Sequence, residues 1–124
     1  MVVKVIDASA LAALLFAEPD AKKVIREMED CELVAPLLLP FELANVCLTK
    51  QRRHPTQREQ LLANFLLFER MAIRYVEIQL VQALTLAEER KLTVYDASYL
   101  LLSLQLGAPL VTLDKQLAKA ARKH

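Results

Sequence analysis

The period of the hydrophobic positions changes repeatedly along the chain, and each change marks an element. MVVKVID opens with a short β-branched run, and ASALAALLFAEPD continues with helical composition that Pro19 closes. A strand therefore feeds a helix. AKKVIREMED reads as a second, amphipathic helix and ELVAP as a short strand. LPFELANVCLTKQRR reads as a helix with Pro40 in its first turn and basic residues at its end, where the helix dipole favours them. HPT breaks the chain. Beyond it, residues 57–72 predict another helix, RYVEI a strand, residues 80–90 a helix and residues 95–106 a helix apolar on nearly every side. PLVTL reads as a last strand and DKQLAKAARKH as a terminal helix.

Strands alternate with helices, and no hairpin signal such as Asn-Gly joins neighbouring strands, which favours a parallel sheet with helices on both faces. The predicted fold is α/β, a three-layer α/β/α sandwich around a central parallel sheet. With 124 residues and no repeat, linker or low-complexity segment, the chain is expected to form one domain over residues 1–124. Its single glycine, Gly107, removes the phosphate-cradling loops GxGxxG and GxxxxGK[ST], which need several glycines.

Composition narrows the function classes further. A formal charge of +1 argues against binding polyanions by bulk charge, so any nucleic-acid contact has to come from local patches. Cys31 and Cys47 match no metal or redox spacing and read as reduced core residues. No charged leader precedes an apolar run, and the apolar stretch from Leu33 to Leu48 is interrupted by Pro36, Pro40 and Glu42. A cytoplasmic protein without a membrane segment is expected.

Eleven of the fifteen acidic residues lie in polar stretches or, like Glu77, on a strand face that alternation can place in solvent. Four sit among core residues: Asp7 after VVKVI, Glu42 inside LLLPFELANV, Asp96 ahead of the apolar helix and Asp114 after PLVTL. Aspartate is a favoured N-cap, about 1 kcal/mol better than alanine, and Asp7, Asp96 and Asp114 each stand just before a predicted helix. Taken singly, capping accounts for each. Taken together, Asp7 and Asp114 end strands, and in an open parallel sheet the strand C-termini share the edge where such folds place their sites. Glu42 falls two positions after Pro40, where a dipole effect is possible but a cap is not. A hard divalent cation accounts for all four at once, because clustered carboxylates repel until a metal lies between them.

VIDASALAALL, LPFELANV and YDASYLLLSLQLGAPLVTLDKQL, together with the total length, resemble the PIN-domain ribonucleases of the VapC toxin type. The most specific part is the C-terminal block, where the acid of YDA and that of TLD stand eighteen residues apart across an apolar helix and a strand. The resemblance implies a PIN-like α/β/α fold and a Mg²⁺- or Mn²⁺-dependent endoribonuclease. The family's acidic quartet falls on Asp7, Glu42, Asp96 and Asp114, as catalytic and metal-binding residues, and its supporting hydroxyls on Ser9 and Thr112. Toxins of this type usually dimerise and are held inactive by a cognate antitoxin, so a homodimer, an antitoxin and an RNA substrate are the implied partners. Residues 53–88 carry no matching motif.

The chemistry agrees on its own terms. Phosphodiester hydrolysis needs an activated water and positive charge on the phosphate oxygens, which one or two Mg²⁺ or Mn²⁺ ions supply, and oxygen donors select such ions over zinc. A histidine pair is the metal-free alternative, but His54 lies in a polar loop and His124 ends the chain. Asn45 lies one turn beyond Glu42, where it either orients that acid, touches substrate or simply edges the core. Basic residues cluster in KQRRH and in the terminal helix, where Lys115, Lys119, Arg122 and Lys123 fall near one face. Lys115 adjoins Asp114, so that Lys115 and Lys119 are candidate RNA contacts beside the ordinary role of a solvated face. Residues 61–73, LLANFLLFERMAI, hold more large apolar side chains than one buried stripe needs, which suits a dimer or partner surface including Phe65 and Phe68. Two competing functions remain: a non-catalytic RNA- or partner-binding module on the same fold, and phosphotransfer through Asp7, for which ASALA lacks the second acid of DxDxT.

Overall fold

A computed structural model describes residues 2–122; Lys123 and His124 lie outside the described residues. Strand β1 (Val2–Ile6) is followed by helices α1 (Ala8–Leu15) and α2 (Ala21–Met28), and strand β2 (Cys31–Pro36) by α3 (Leu39–Arg53) and α4 (Arg58–Phe68). Strand β3 (Ile73–Val76) leads into α5 (Leu80–Arg90) and α6 (Val94–Leu106), and strand β4 (Leu110–Val111) into α7 (Lys115–Ala121). All pairings are parallel, in the order β3-β2-β1-β4.

The order reverses at β1, since the chain steps from β1 to β2 and β3 on one side and returns to β4 on the other. Right-handed crossovers then put α1 to α4 on one face and α5 and α6 on the other. Packing agrees: α1 meets α2, α3 and α4, whereas α6 lies on β1, β2 and β4 and carries α5 and α7. Val5, Ile6, Val34, Leu11, Leu39, Leu43, Leu100 and Leu102 are fully buried between these layers.

Three elements differ from the sequence expectation, each for a local reason. Strand β4 keeps only two residues of PLVTL, because Leu113 N–H donates to Ser9 Oγ (2.9 Å) instead of continuing the ladder. Helix α4 stops at Phe68, where Glu69, Arg70 and Met71 turn through bonds to carbonyls three residues back, which brings the chain to β3. Strand β3 begins at Ile73, one residue before RYVEI, and Glu77 follows it in solvent. Gly107 closes α6 with a φ of 59°, a left-handed cap that glycine adopts without strain.

Residues 61–73 divide between core and surface. Phe68 is 7% exposed and in the core, and Phe65 packs tilted against it with ring centroids 6.0 Å apart. The outward apolar residues of α4 are Leu62, Leu66 and Leu67. Cys47 is buried, Cys31 partly so, and both are free thiols. Among the described residues, no helix is long and apolar enough to cross a membrane.

Candidate active site

The crossover reversal places the C-terminal ends of β1 and β4 side by side, and it is outside such a junction that open α/β sheets bind ligands. Asp7 follows β1 and Asp114 lies just beyond β4. Helix α3 starts beyond the end of β2, and α6 ends immediately before β4, so the first turns of both helices also lie towards this edge. Those turns carry Glu42 and Asp96.

Asp7 is the N-cap of α1: its Oδ1 accepts from Ala10 N at 3.0 Å and from the Ser9 hydroxyl at 2.7 Å. Its Oδ2 accepts from Thr112 Oγ1 at 2.5 Å. Each hydroxyl is used twice, since Ser9 Oγ accepts from Leu113 N (2.9 Å) and Thr112 Oγ1 from Asp114 N (3.0 Å). The two oxygens lie 3.4 Å apart. Residues more than a hundred positions apart in sequence thus form one latch between the β1–α1 and β4–α7 junctions. Asp114 caps α7 by accepting from Leu117 N at 3.0 Å.

The other two acids are held differently. Thr93, not Asp96, caps α6: its Oγ1 accepts from Asp96 N at 3.1 Å, and Asp96 occupies the third helical position. The expectation of an Asp96 cap is corrected on that point, because the threonine three residues upstream already fills the cap geometry. Glu42 sits in the first turn of α3, whose N-cap position, Leu38, offers no side-chain oxygen. Its partner is Tyr99, whose phenol donates to Glu42 Oε1 at 2.7 Å. Asn45, the sequence candidate for orienting Glu42, is exposed, and its backbone carbonyl accepts from Thr49.

Burial, and after it the charge of neighbouring carboxylates, acts on three of the four acids. Burial pushes the Asp7 carboxyl above the usual aspartate range despite its bonds from Thr112, Ser9 and Ala10, and the Asp114 charge adds to the rise. Glu42 is raised by burial, then by Asp96 and Asp7, with the Tyr99 bond opposing. Asp96 is raised by burial and by the charges of Asp114 and Asp7. Tyr99, 1% exposed, is driven far upward by burial and by its bond to Glu42, so its phenol keeps its proton and donates.

Two further observations bear on a cation. The ion pairs among the described residues are Lys50–Glu18 and Arg74–Glu32, so none of the four acids has a basic partner. No three carboxylate, imidazole or thiol groups among the described residues converge tightly enough to ligate one ion. Asp7, Glu42 and Asp96 nevertheless each sense the charge of a neighbouring carboxylate. Their all-oxygen chemistry fits a hard divalent ion.

Comparison with known proteins agrees with this architecture. The PIN domain family model matches residues 4–123. Ribonuclease VapC3 of Pyrobaculum aerophilum is 36% identical over 122 residues, covering 93% of this chain and 92% of that protein. The crystal structure of PAE2754 from the same organism matches with a TM-score of 0.69 at 28% identity, over 98% of this chain and 89% of that one. Mycobacterium tuberculosis VapC20, described as a sarcin-ricin loop cleaving toxin, has the same fold, with a TM-score of 0.65 at 15% identity over 95% and 94% of the two chains. The chain belongs to the PIN-domain family and, within it, to the VapC-type ribonucleases.

Proposed function

We propose that this chain is the toxin of a toxin–antitoxin pair and hydrolyses RNA phosphodiester bonds at the rim formed by Asp7, Glu42, Asp96 and Asp114. The observation that carries the reading is the gathering of four acids at the sheet's reversal point, where burial and then neighbouring carboxylates raise Asp7, Glu42 and Asp96 and none of the four is ion-paired among the described residues. Those four residues would hold Mg²⁺ or Mn²⁺. A divalent ion bound there supplies positive charge to the phosphate oxygens and an acidified water.

The chain's own residues do the positioning. Ser9 and Thr112 fix both oxygens of Asp7, so that this carboxylate is pre-set rather than free to rotate. Tyr99, as a permanent donor, sets the rotamer of Glu42. Asp96, at the start of α6, lies where the helix dipole favours its negative form against burial. Lys115 and Lys119, both exposed on α7, contact phosphates beside the cut. Exposed Leu62, Leu66 and Leu67 suit a homodimer or an antitoxin segment, and the protein acts in the cytoplasm as a single domain.

Purified protein incubated with a mixed RNA pool and Mg²⁺ or Mn²⁺, followed by mapping of the new ends, tests the reading. Discrete cleavage that EDTA abolishes is expected. An intact pool under both metals would overturn it.

A further inference from the structure

Beside the acid rim lies an open cleft of about 520 Å³ between α2 and α7. Its wall carries four cationic side chains, Lys23 from α2 with Lys115, Lys119 and Arg122 from the α7 region, against two acids, Asp20 and Asp114. This is a positive surface on a chain whose total formal charge is only +1. The cleft is continuous with the rim, because Asp114 belongs to both and Thr112, which bonds Asp7, lines the cleft floor.

We propose that this cleft binds the RNA backbone on one side of the scissile phosphate, with Lys23 and Arg122 as phosphate-binding residues on opposite walls. The proposal rests on the ribonuclease reading and adds to it a place and a direction for the strand. Four carboxylates repel phosphates, so an RNA strand crossing the rim needs compensating positive charge along its path beside them. The α2–α7 cleft is where the fold supplies that charge. Its size lies within the about 300–1,000 Å³ of ordinary ligand clefts.

The other basic cluster does not serve. Lys50 is committed to Glu18 at 2.9 Å and stands over the Phe16 ring at 5.4 Å. Arg52 and Arg53 end α3, whereas Glu42 begins it. Eleven residues of helix separate Glu42 from Arg53, about 16 Å at 1.5 Å per residue. The α2 contribution is the unexpected one: Lys23 is exposed, outside every motif, and reaches the site only because α2 packs beside β4.

The test compares the parent with Lys23→Ala, Lys23→Glu and, as a control at the far end of α3, Arg53→Ala. Steady-state RNA cleavage in Mn²⁺ and salt-dependent binding of labelled single-stranded RNA are both measured. Lys23→Ala should raise KM about three- to tenfold, lower kcat less than twofold and reduce the slope of log K against log salt by about 1. Lys23→Glu should exceed it in both, and Arg53→Ala should match the parent. Parent-like KM and salt slope in both Lys23 variants would overturn the cleft. Equal losses in Arg53→Ala would overturn it too, showing diffuse attraction instead. If the parent cuts no RNA, the ribonuclease reading fails while the salt slopes still decide whether Lys23 binds RNA.

Discussion

The four acids fall into two pairs that the fold treats differently. Asp7 and Asp114 sit at strand-to-helix junctions near the chain's two ends, cap their helices and are tied together by Ser9 and Thr112. Glu42 and Asp96 sit inside the first turns of α3 and α6, cap nothing, and depend on Tyr99 and on a turn that Thr93 caps. The first pair is over-determined by hydrogen bonds that also close the fold. The second pair caps no helix, and Glu42 keeps its Oε2 outside the bond that Tyr99 makes to Oε1. A carboxylate that caps a helix serves stability with or without a metal, whereas a half-buried one that caps nothing beside like charges is a cost in the metal-free protein.

The largest effect that sharpens this contrast is expected from Asp96→Asn. Loss of one ligand charge at a metal site is worth several kcal/mol in the transition state, so cleavage should fall about a thousandfold or more. Since Asp96 is not the cap, stability should hold or rise in EDTA. End-mapped cleavage and a thermal melt check the two halves, and activity within twofold of the parent would remove Asp96 from the site.

Thr112→Val acts on the latched pair instead. It leaves Asp7 Oδ2 buried without its donor, at a cost of about 1–3 kcal/mol. The cost should grow with pH. Burial already raises the folded Asp7 pKa above its unfolded value, and losing a bond to the carboxylate raises it further. Below the unfolded pKa both states are protonated, and only the pH-independent loss of the bond from Asp114 N to Thr112 Oγ1 remains. As pH rises through the folded pKa, the penalty appears in full. Melts of parent and variant in EDTA at pH 4 and pH 7 should therefore diverge at the higher pH; a constant gap would break the account of Asp7.

Tyr99→Phe removes the hydroxyl that holds Glu42 and should lower cleavage about tenfold, the scale of lost ligand-orienting contacts, with a stability change of about 1 kcal/mol. Smaller still is Thr93→Ala, which removes the α6 cap for about 1 kcal/mol and should leave the response to metal intact. A lost metal response in Thr93→Ala would mean that cap and site are not separable.

What the sequence made legible follows the same division. Asp7 and Asp114 were readable because each role is local: a strand ends, an acid follows, a helix begins. Thr93-x-x-Asp96 carried a cap signal as well, overshadowed by the apolar helix behind it. Tyr99 gave no comparable sign, since its bond to Glu42 spans 57 positions; a phenol directly ahead of the apolar run LLL, needing a partner for its hydroxyl, was the available hint. The shortening of β4 and the arrival of Lys23 beside Asp114 likewise depend on contacts across the whole chain.

The central claim is that these four carboxylates form one cation site, and thermal melts with and without divalent metal test it most directly. The parent and Asp114→Asn are melted in EDTA and in Mn²⁺ at matched ionic strength. Free metal at one hundred times its dissociation constant should stabilise the parent by about 2.7 kcal/mol, a rise in Tm on the order of 10 °C for a chain of this length. Asp114→Asn should lose most of that rise. Equal melting temperatures for the parent in EDTA and in saturating Mn²⁺ would contradict a shared metal site.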